Sequence, residues 1–234
     1  MHVPDAFLDV PTSLATGAVA VVGVAVALRG ARRELDDRTA PMAGLVAAFV
    51  FAAQMLNFPV GAGTSGHLLG GALAAVLVGP FTAALCLAVV LLVQALLFAD
   101  GGITALGTNI TLFSVVAVGT GWLVFRGLQA VLPKRIALVP VLAGVAAFVS
   151  VPVTAVAFVG LFAVGGQAPV SLGAVLTTMI GWHVVIGLGE ALITALVVSS
   201  VVATRPDLVR GARPLLAQRT LEIRTSPSAG GAVS

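Results

Sequence analysis

The chain has 234 residues, and only three histidines, one cysteine and nine carboxylate side chains among them could ligate a metal or move a proton. His2 comes first. A second-position histidine can hold a metal through three nitrogens: the α-amine of Met1, the His2 amide and the His2 ring. The amine and amide close a five-membered chelate ring, and the amide and imidazole close a six-membered one. Three planar nitrogens leave one place open in a square-planar site, the geometry typical of Ni(II) or Cu(II). His67 could fill it. The spacing also allows a plainer arrangement, with His2 a flexible terminal residue and His67 bonded to a backbone carbonyl. Spacing leaves both open. His183 and Glu190 are seven residues apart, about 10 Å along a helix, so they share a face without ligating one ion together. A buried Glu190 must be paired, protonated or wetted, and anchoring across helices is its expected role. Cys86 stands alone in an apolar run, which excludes a disulfide framework and a thiolate cluster.

The elements that position these residues must lie in a bilayer. Hydrophobic residues make up 59% of the chain and charged residues 9%. Soluble domains run nearer 45–50% apolar and about 25% charged, so a water-soluble fold is excluded. The net charge of +3 comes with a single Lys and no basic stripe, which argues against nucleic-acid binding. The expected fold is all-α and polytopic. Spans of about 17–25 apolar residues are predicted at 12–28, 41–58, 108–125, 136–162 and 172–203. The run 62–98 is too long for one helix and is broken at Gly79-Pro80, where proline removes a donor and clashes with the preceding turn.

Charge parity decides how often that run crosses. Every Lys and Arg falls within 29–38, 126–135 or 205–224. All three clusters share one side only if 62–98 crosses twice, giving seven transmembrane helices with the N-terminus outside and the C-terminus cytoplasmic. The N-terminus has no basic n-region and no small-residue cleavage site, so it does not read as a secretory signal, and Met1 is expected to stay ahead of bulky His2. Residues 1–204 then form a membrane-embedded domain, and 205–234 a polar, disordered cytoplasmic tail. The 27 glycines suit close helix packing in lipid; Gly66-x-x-x-Gly70 is one instance.

Polar residues within spans are expensive and default to functional candidates. They are Gln54, Asn57, Thr64, Ser65, His67, Gln94, Asp100, Asn109, His183 and Glu190, most of them toward the outer half in the seven-span arrangement. Asp5, Asp9 and Asp100 leave the outer face acidic, which favours cations.

Four stretches together resemble one family, the substrate-binding membrane subunits of energy-coupling-factor cobalt and nickel importers, the CbiM/NikM group. They are Met1-His2-Val3-Pro4-Asp5-Ala6-Phe7-Leu8; Asn57-Phe58-Pro59-Val60 leading into Gly63-Thr64-Ser65-Gly66-His67-Leu68-Leu69-Gly70-Gly71; Phe98-Ala99-Asp100-Gly101-Gly102-Ile103-Thr104-Ala105-Leu106-Gly107-Thr108-Asn109; and His183 through Gly187-Leu188-Gly189-Glu190-Ala191. Ala6 stands where the family pattern has Gly.

The resemblance implies that Co(II) or Ni(II) is the transported substrate, held by the amine of Met1, the amide and ring of His2, and His67. Asp5, Asn57, Ser65, Asp100, Asn109, His183 and Glu190 are then candidates for supporting polar roles. It also implies seven helices in the cell inner membrane and partners in an energy-coupling transmembrane subunit, ATPase subunits and a small accessory membrane subunit. The chain lacks a G-x-x-x-x-G-K-[ST] loop, so it binds no ATP by that route and is expected to be a transporter subunit rather than an enzyme. A rival reading takes Gly63-Thr64-Ser65-Gly66 with His183 as the Ser–His dyad of a rhomboid-like intramembrane protease.

Overall fold

The structure, a computed structural model, describes residues 2–37, 39–61 and 64–224, with the backbone alone at 58, 61, 64 and 219–224. Helix α1 (Val10–Ala31) is followed by α2 (Ala40–Gln54) and an antiparallel hairpin of β1 (Phe58–Gly61) and β2 (Thr64–Gly66). Then come α3 (Gly71–Val78), α4 (Pro80–Leu97) and α5 (Leu106–Ile110), which runs through a π-helical stretch, Thr111–Ala117, into α6 (Val118–Val131). Helices α7 (Val139–Gly165) and α8 (Leu172–Thr204) form a long hairpin, and α9 (Arg213–Arg224) follows two short 3-10 turns.

Five of these helical rods are long and apolar enough to cross a membrane: α1, α4, Leu106–Val131, Ile136–Gly165 and α8. The protein is a multi-pass membrane protein. Two predicted crossings differ from expectation. Helix α2 has 15 residues and α3 has 8, so at 1.5 Å per residue they reach about 22 and about 12 Å. Both fall short of a hydrocarbon core about 30 Å thick. The predicted spans 41–58 and 62–98 run into the stretch between them, but Pro59, Gly61 and Gly66 favour a bent, extended backbone, and β1 and β2 form a bulged hairpin there instead.

The break at Gly79-Pro80 is where the sequence places it. Gly79 has φ +97°, so α3 stops and α4 restarts with its proline in the first turn. Into the space a Gly79 side chain would fill comes the Glu34 carboxylate, which accepts from Thr82 N–H at 2.7 Å and covers the start of α4. All eight residues of α3 are buried, making it the central rod. It lies against α6 through small residues: a Cβ on Gly121 would meet Ala72 at 2.7 Å.

In the α7–α8 hairpin, Pro152 has no N–H to give the Phe148 carbonyl one turn earlier. Gly187 of α8 faces that carbonyl so closely that a Cβ there would lie 3.2 Å from it. Outward faces carry exposed Val10, Leu14, Val21 and Leu28 on α1 and Leu188, Leu192 and Leu196 on α8, as a lipid-facing surface requires.

The segment after 204 is more structured than the predicted mobile tail. Pro206–Leu208 and Arg210–Ala212 are 3-10 turns, and 213–224 is helical. Val209 and Ala212 are fully buried, Gly211 packs edge-on to Phe125, and Gln129 Nε2 donates to the Gly211 carbonyl at 2.8 Å. Two apolar side chains and one missing Cβ dock this stretch despite its polar composition. Residues 225–234 lie outside the described residues.

Candidate metal-binding site

The segment before α1 is laid onto the bundle by backbone hydrogen bonds. Val3 N–H donates to Asn109 Oδ1 at 2.8 Å, and the Val3 carbonyl accepts from Asn109 Nδ2 at 3.1 Å and from Gly102 N–H at 2.9 Å. Asn109 therefore satisfies both backbone groups of one residue, as a neighbouring strand would. Asp5 Oδ1 accepts from the Thr104 N–H at 2.8 Å and from its hydroxyl. These bonds hold the Asp5 carboxyl below the usual carboxylate range.

Two glycines make the approach possible. Gly101 has φ +90°, and a Cβ on Gly102 would lie 2.4 Å from the Asp5 nitrogen. Ala6 has φ +59°, a left-handed conformation that suits glycine better than alanine. Beyond it Phe7 packs on Phe158 and Phe162, Gln167 N–H donates to the Phe7 carbonyl, and Asp9 N–H donates to the Gly165 carbonyl at 2.7 Å. Asp9 then caps α1 by accepting from Thr12 N–H at 2.8 Å.

This threading brings His2 onto His67. The two rings stack with centroids 4.3 Å apart, and both contact the fully buried Phe113 ring at 5.1 and 5.4 Å. His67 is fully buried, and its Nδ1 lies 2.8 Å from the Leu68 carbonyl. A carbonyl only accepts, so Nδ1 carries the proton and Nε2 bears the lone pair. That Nε2 is buried and has no hydrogen-bond partner among the described residues. An orphaned, lone-pair-bearing imidazole nitrogen on a ring stacked against a second histidine fits a divalent transition-metal ion.

His2 Nδ1 is 3.0 Å from Asp100 Oδ1, whose other oxygen accepts from Asn57 Nδ2 at 3.0 Å. Burial lowers the His2 pKa below that of a free imidazole, and the Asp100 hydrogen bond counters only part of this, so the ring is neutral at physiological pH. Burial works to raise the Asp100 carboxyl, but hydrogen bonds from His2 and Asn57 outweigh it and leave it below the usual range. A six-membered chelate with the His2 amide needs Nδ1, so the ring must turn from Asp100 to ligate in that way. Met1, the expected donor of the amine, lies outside the described residues. Among the described residues no group of three His, Cys, Asp or Glu side chains gathers to hold a metal.

Glu190 is buried on α8, 120 residues along the chain, yet it grips the His67 loop. Its Oε2 accepts from Leu69 N–H at 2.6 Å and its Oε1 from Gly70 N–H at 2.9 Å. Gln54 Nε2 completes the hold by donating to the Leu69 carbonyl at 2.7 Å. His183, also fully buried, bonds through Nδ1 to the Met179 carbonyl one turn earlier at 2.7 Å. Ser65 lies in β2 opposite Pro59, and no hydrogen bond joins it to His183 among the described residues. Phe113 and Thr104 do not stand out as site features in the sequence, and Gln54 stands out there only as a polar residue within a span. Phe113 is one apolar residue in an apolar helix, and nothing in its local pattern marks it.

The sequence matches the profile of the family described as CbiM, cobalt uptake substrate-specific transmembrane region, over residues 2–208. The chain belongs to the CbiM family. Among CbiM-like relatives, the cobalt transport protein CbiM of Sorangium cellulosum is 34% identical over 214 residues, covering 89% of this chain and 94% of that protein. A Haloquadratum walsbyi protein, provisionally named as a metal transport protein, is 41% identical over 211 residues, 89% of this chain and 93% of its own. A solved structure titled as a transition metal transporter superposes with a TM-score of 0.79 at 29% identity, covering 96% of this chain and all of that one. The CbiM fold is thus shared along nearly the whole chain.

Proposed function

We propose that this chain is the substrate-capture subunit of an energy-coupling-factor importer and takes Co(II) or Ni(II) from the outer face of the cell inner membrane. The observation that carries this reading is the buried His67 Nε2, lone pair free, stacked against His2 at the end of a tightly threaded N-terminal segment. Met1 supplies its amine, His2 its amide and ring, and His67 the fourth nitrogen. Relatives named for cobalt and for nickel transport both match, so the substrate is cobalt or nickel, undivided.

In this arrangement the chain crosses seven times, with the N-terminus outside and residues 205–234 cytoplasmic. The short α2 and α3 belong to these crossings, with the hairpin and the 67–70 loop completing the path of α3. Asp5 and Asn109 hold the N-terminal segment, Asn57 and Asp100 hold the His2 ring until it turns to the metal, and Glu190 holds the His67 loop. Ser65 and His183 line the same region without ligating. The acidic outer face concentrates the hydrated ion, and ligation strips its water and releases protons. Energy comes from separate ATPase and transmembrane coupling subunits, with a small accessory membrane subunit. A fused nickel transport protein, NikMN of Rhodobacter capsulatus, matches half of this chain but only a third of its own length, consistent with a further component joined to a chain of this type.

The test is uptake of radiolabelled nickel or cobalt in cells expressing the full chain with candidate coupling subunits. His67→Ala is expected to drop uptake to background at native expression, while Ser65→Ala keeps it. Uptake surviving His67→Ala would overturn the ligand assignment. Equal uptake without any ATPase subunit would overturn the importer class.

A further inference from the structure

At the opposite end of α6 from the histidine site, arginines from two separate parts of the chain open into one cleft. Trp122 and Arg126 come from the last turns of α6, and Arg210, Arg213 and Pro214 from the docked segment after α8. The cleft has a volume of about 600 Å³. The Arg126 guanidinium lies 5.8 Å over the Trp122 ring and bonds through Nη1 to Gln129 Oε1 at 3.0 Å. Gln129 in turn holds the Gly211 carbonyl, so one side chain fixes both the arginine and the segment that brings Arg210. Arg213 Nε donates to the Asp207 carbonyl at 3.3 Å, and its Nη2 lies 3.8 Å from Asp36 Oδ2.

Around the cleft, Arg126 and Arg213 bond to neutral acceptors, Arg213 lies 3.8 Å from the Asp36 carboxylate, and Arg210 opens into the same space, so three guanidiniums share one opening. Guanidinium forks match the oxygens of a phosphate group. The place matches too. The cleft lies where α6 ends and a polar segment begins, the level at which Trp residues and arginines collect at a membrane surface. Basic pockets between helices at that level receive phospholipid headgroups.

We propose that the Trp122–Arg126–Arg210–Arg213 cleft binds a phosphate group, supplied by the headgroup of an anionic membrane phospholipid. The headgroup bridges α6 and the segment 210–214, and so clamps the stretch after α8 to the bundle.

The experiment uses the purified full chain in a neutral detergent, with native mass spectrometry reading lipid retention. Phosphatidylglycerol, phosphatidylcholine and inorganic phosphate are added in separate arms. A second readout is the rate of proteolytic cleavage within 205–224. Three proteins are compared: the native chain, the triple variant R126Q/R210Q/R213Q, and R32Q/R33Q, which removes exposed charge outside the cleft. Phosphatidylglycerol is expected to bind the native chain and R32Q/R33Q alike and to slow cleavage in both. The triple variant should bind it at least about ten-fold more weakly, the loss of roughly one charge-assisted contact or more. An unchanged melting temperature of the triple variant in detergent alone shows that it folds, and if it melts early the single variant R126Q replaces it. Equal retention of phosphatidylglycerol by native and cleft variants overturns the site. Equal binding of phosphatidylcholine overturns its choice of an anion. Inorganic phosphate giving the same protection as the lipid overturns the lipid as source. No effect of any of the three on the native chain overturns the proposal in favour of another class of partner.

Discussion

Replacing Glu190 with Gln tests whether the last long helix holds the His67 loop of the proposed metal site. The carboxylate takes two backbone N–H groups, Leu69 at 2.6 Å and Gly70 at 2.9 Å, one on each oxygen. Glutamine has nearly the same volume but only one acceptor, so one of those N–H groups would face an NH2 and lose its partner. A hydrogen bond to a charged group contributes about 1.5–3 kcal/mol, and an unpaired buried donor costs about 1–3 kcal/mol. These figures describe one lost contact, so the native loop geometry is weakened by about 1–3 kcal/mol in E190Q. Gln54 still holds the Leu69 carbonyl, so the loop is not freed outright.

If weakening populates a loop that turns His67 away, apparent affinity falls in proportion to the fraction lost. Outer contacts of this kind typically affect metal affinity by about 10–100-fold. We expect E190Q to bind Ni(II) about ten-fold more weakly, with a lowered melting temperature in detergent. Isothermal titration with Ni(II) beside a thermal melt reads both. Native affinity together with a native melting temperature would refute the claim that this carboxylate positions the loop. A lowered melting temperature with native affinity would leave Glu190 as an anchor of the bundle and remove it from the metal site.

Gly102→Ala places a methyl 2.4 Å from the Asp5 nitrogen, so the N-terminal segment must shift away from Val3's partners. Nickel affinity should fall at least about ten-fold, as expected for a misplaced ligand support, while Gly17→Ala, where a Cβ meets nothing, should change it little; equal effects would contradict the close approach. Metal capture should weaken as pH falls, because the amine, amide and rings must be deprotonated to ligate. The His2 ring has a lowered pKa and is already neutral near pH 7, so the first loss on acidification comes from the amine, with a reference pKa of about 7.7–8.0. Protons reach the ring only at lower pH. Titration of affinity from about pH 8 to about pH 5.5 checks this, and a flat profile would contradict nitrogen ligation.

Much of this architecture is legible from residue types. Gly79-Pro80 ends one helix and starts the next because φ +97° suits glycine and a first-turn proline needs no donor. His2 and His67 declare themselves because histidines are scarce and buried polar residues in lipid need a reason. Other features depend on tertiary contact. Glu34 sits in an arginine-rich loop and reads as surface charge, yet it is buried against Thr82 N–H across 48 residues. The ends of the β1–β2 hairpin share the apolar character of its flanks, so hydropathy carries the spans 41–58 and 62–98 into it. The docking of Val209–Ala212 rests on the gap beside Phe125 that Gly211 fits, which no local pattern reveals. The Asp100 hold on His2 Nδ1 is likewise invisible until the loops are folded together.

The central claim is that the chain's own terminus is part of the metal site, and a single inserted residue tests it. Purified chain, tagged only at its C-terminus, is titrated with Ni(II) and then Co(II) while the visible absorption bands are followed, beside a variant with one Ala inserted between Met1 and His2. The insertion changes the chelate rings and leaves His2, His67 and the helices in place. The account predicts a planar-type nickel band in the native chain and loss of tight binding in the insertion. Equal binding by both proteins would contradict it, because the amine and amide would then not be ligands.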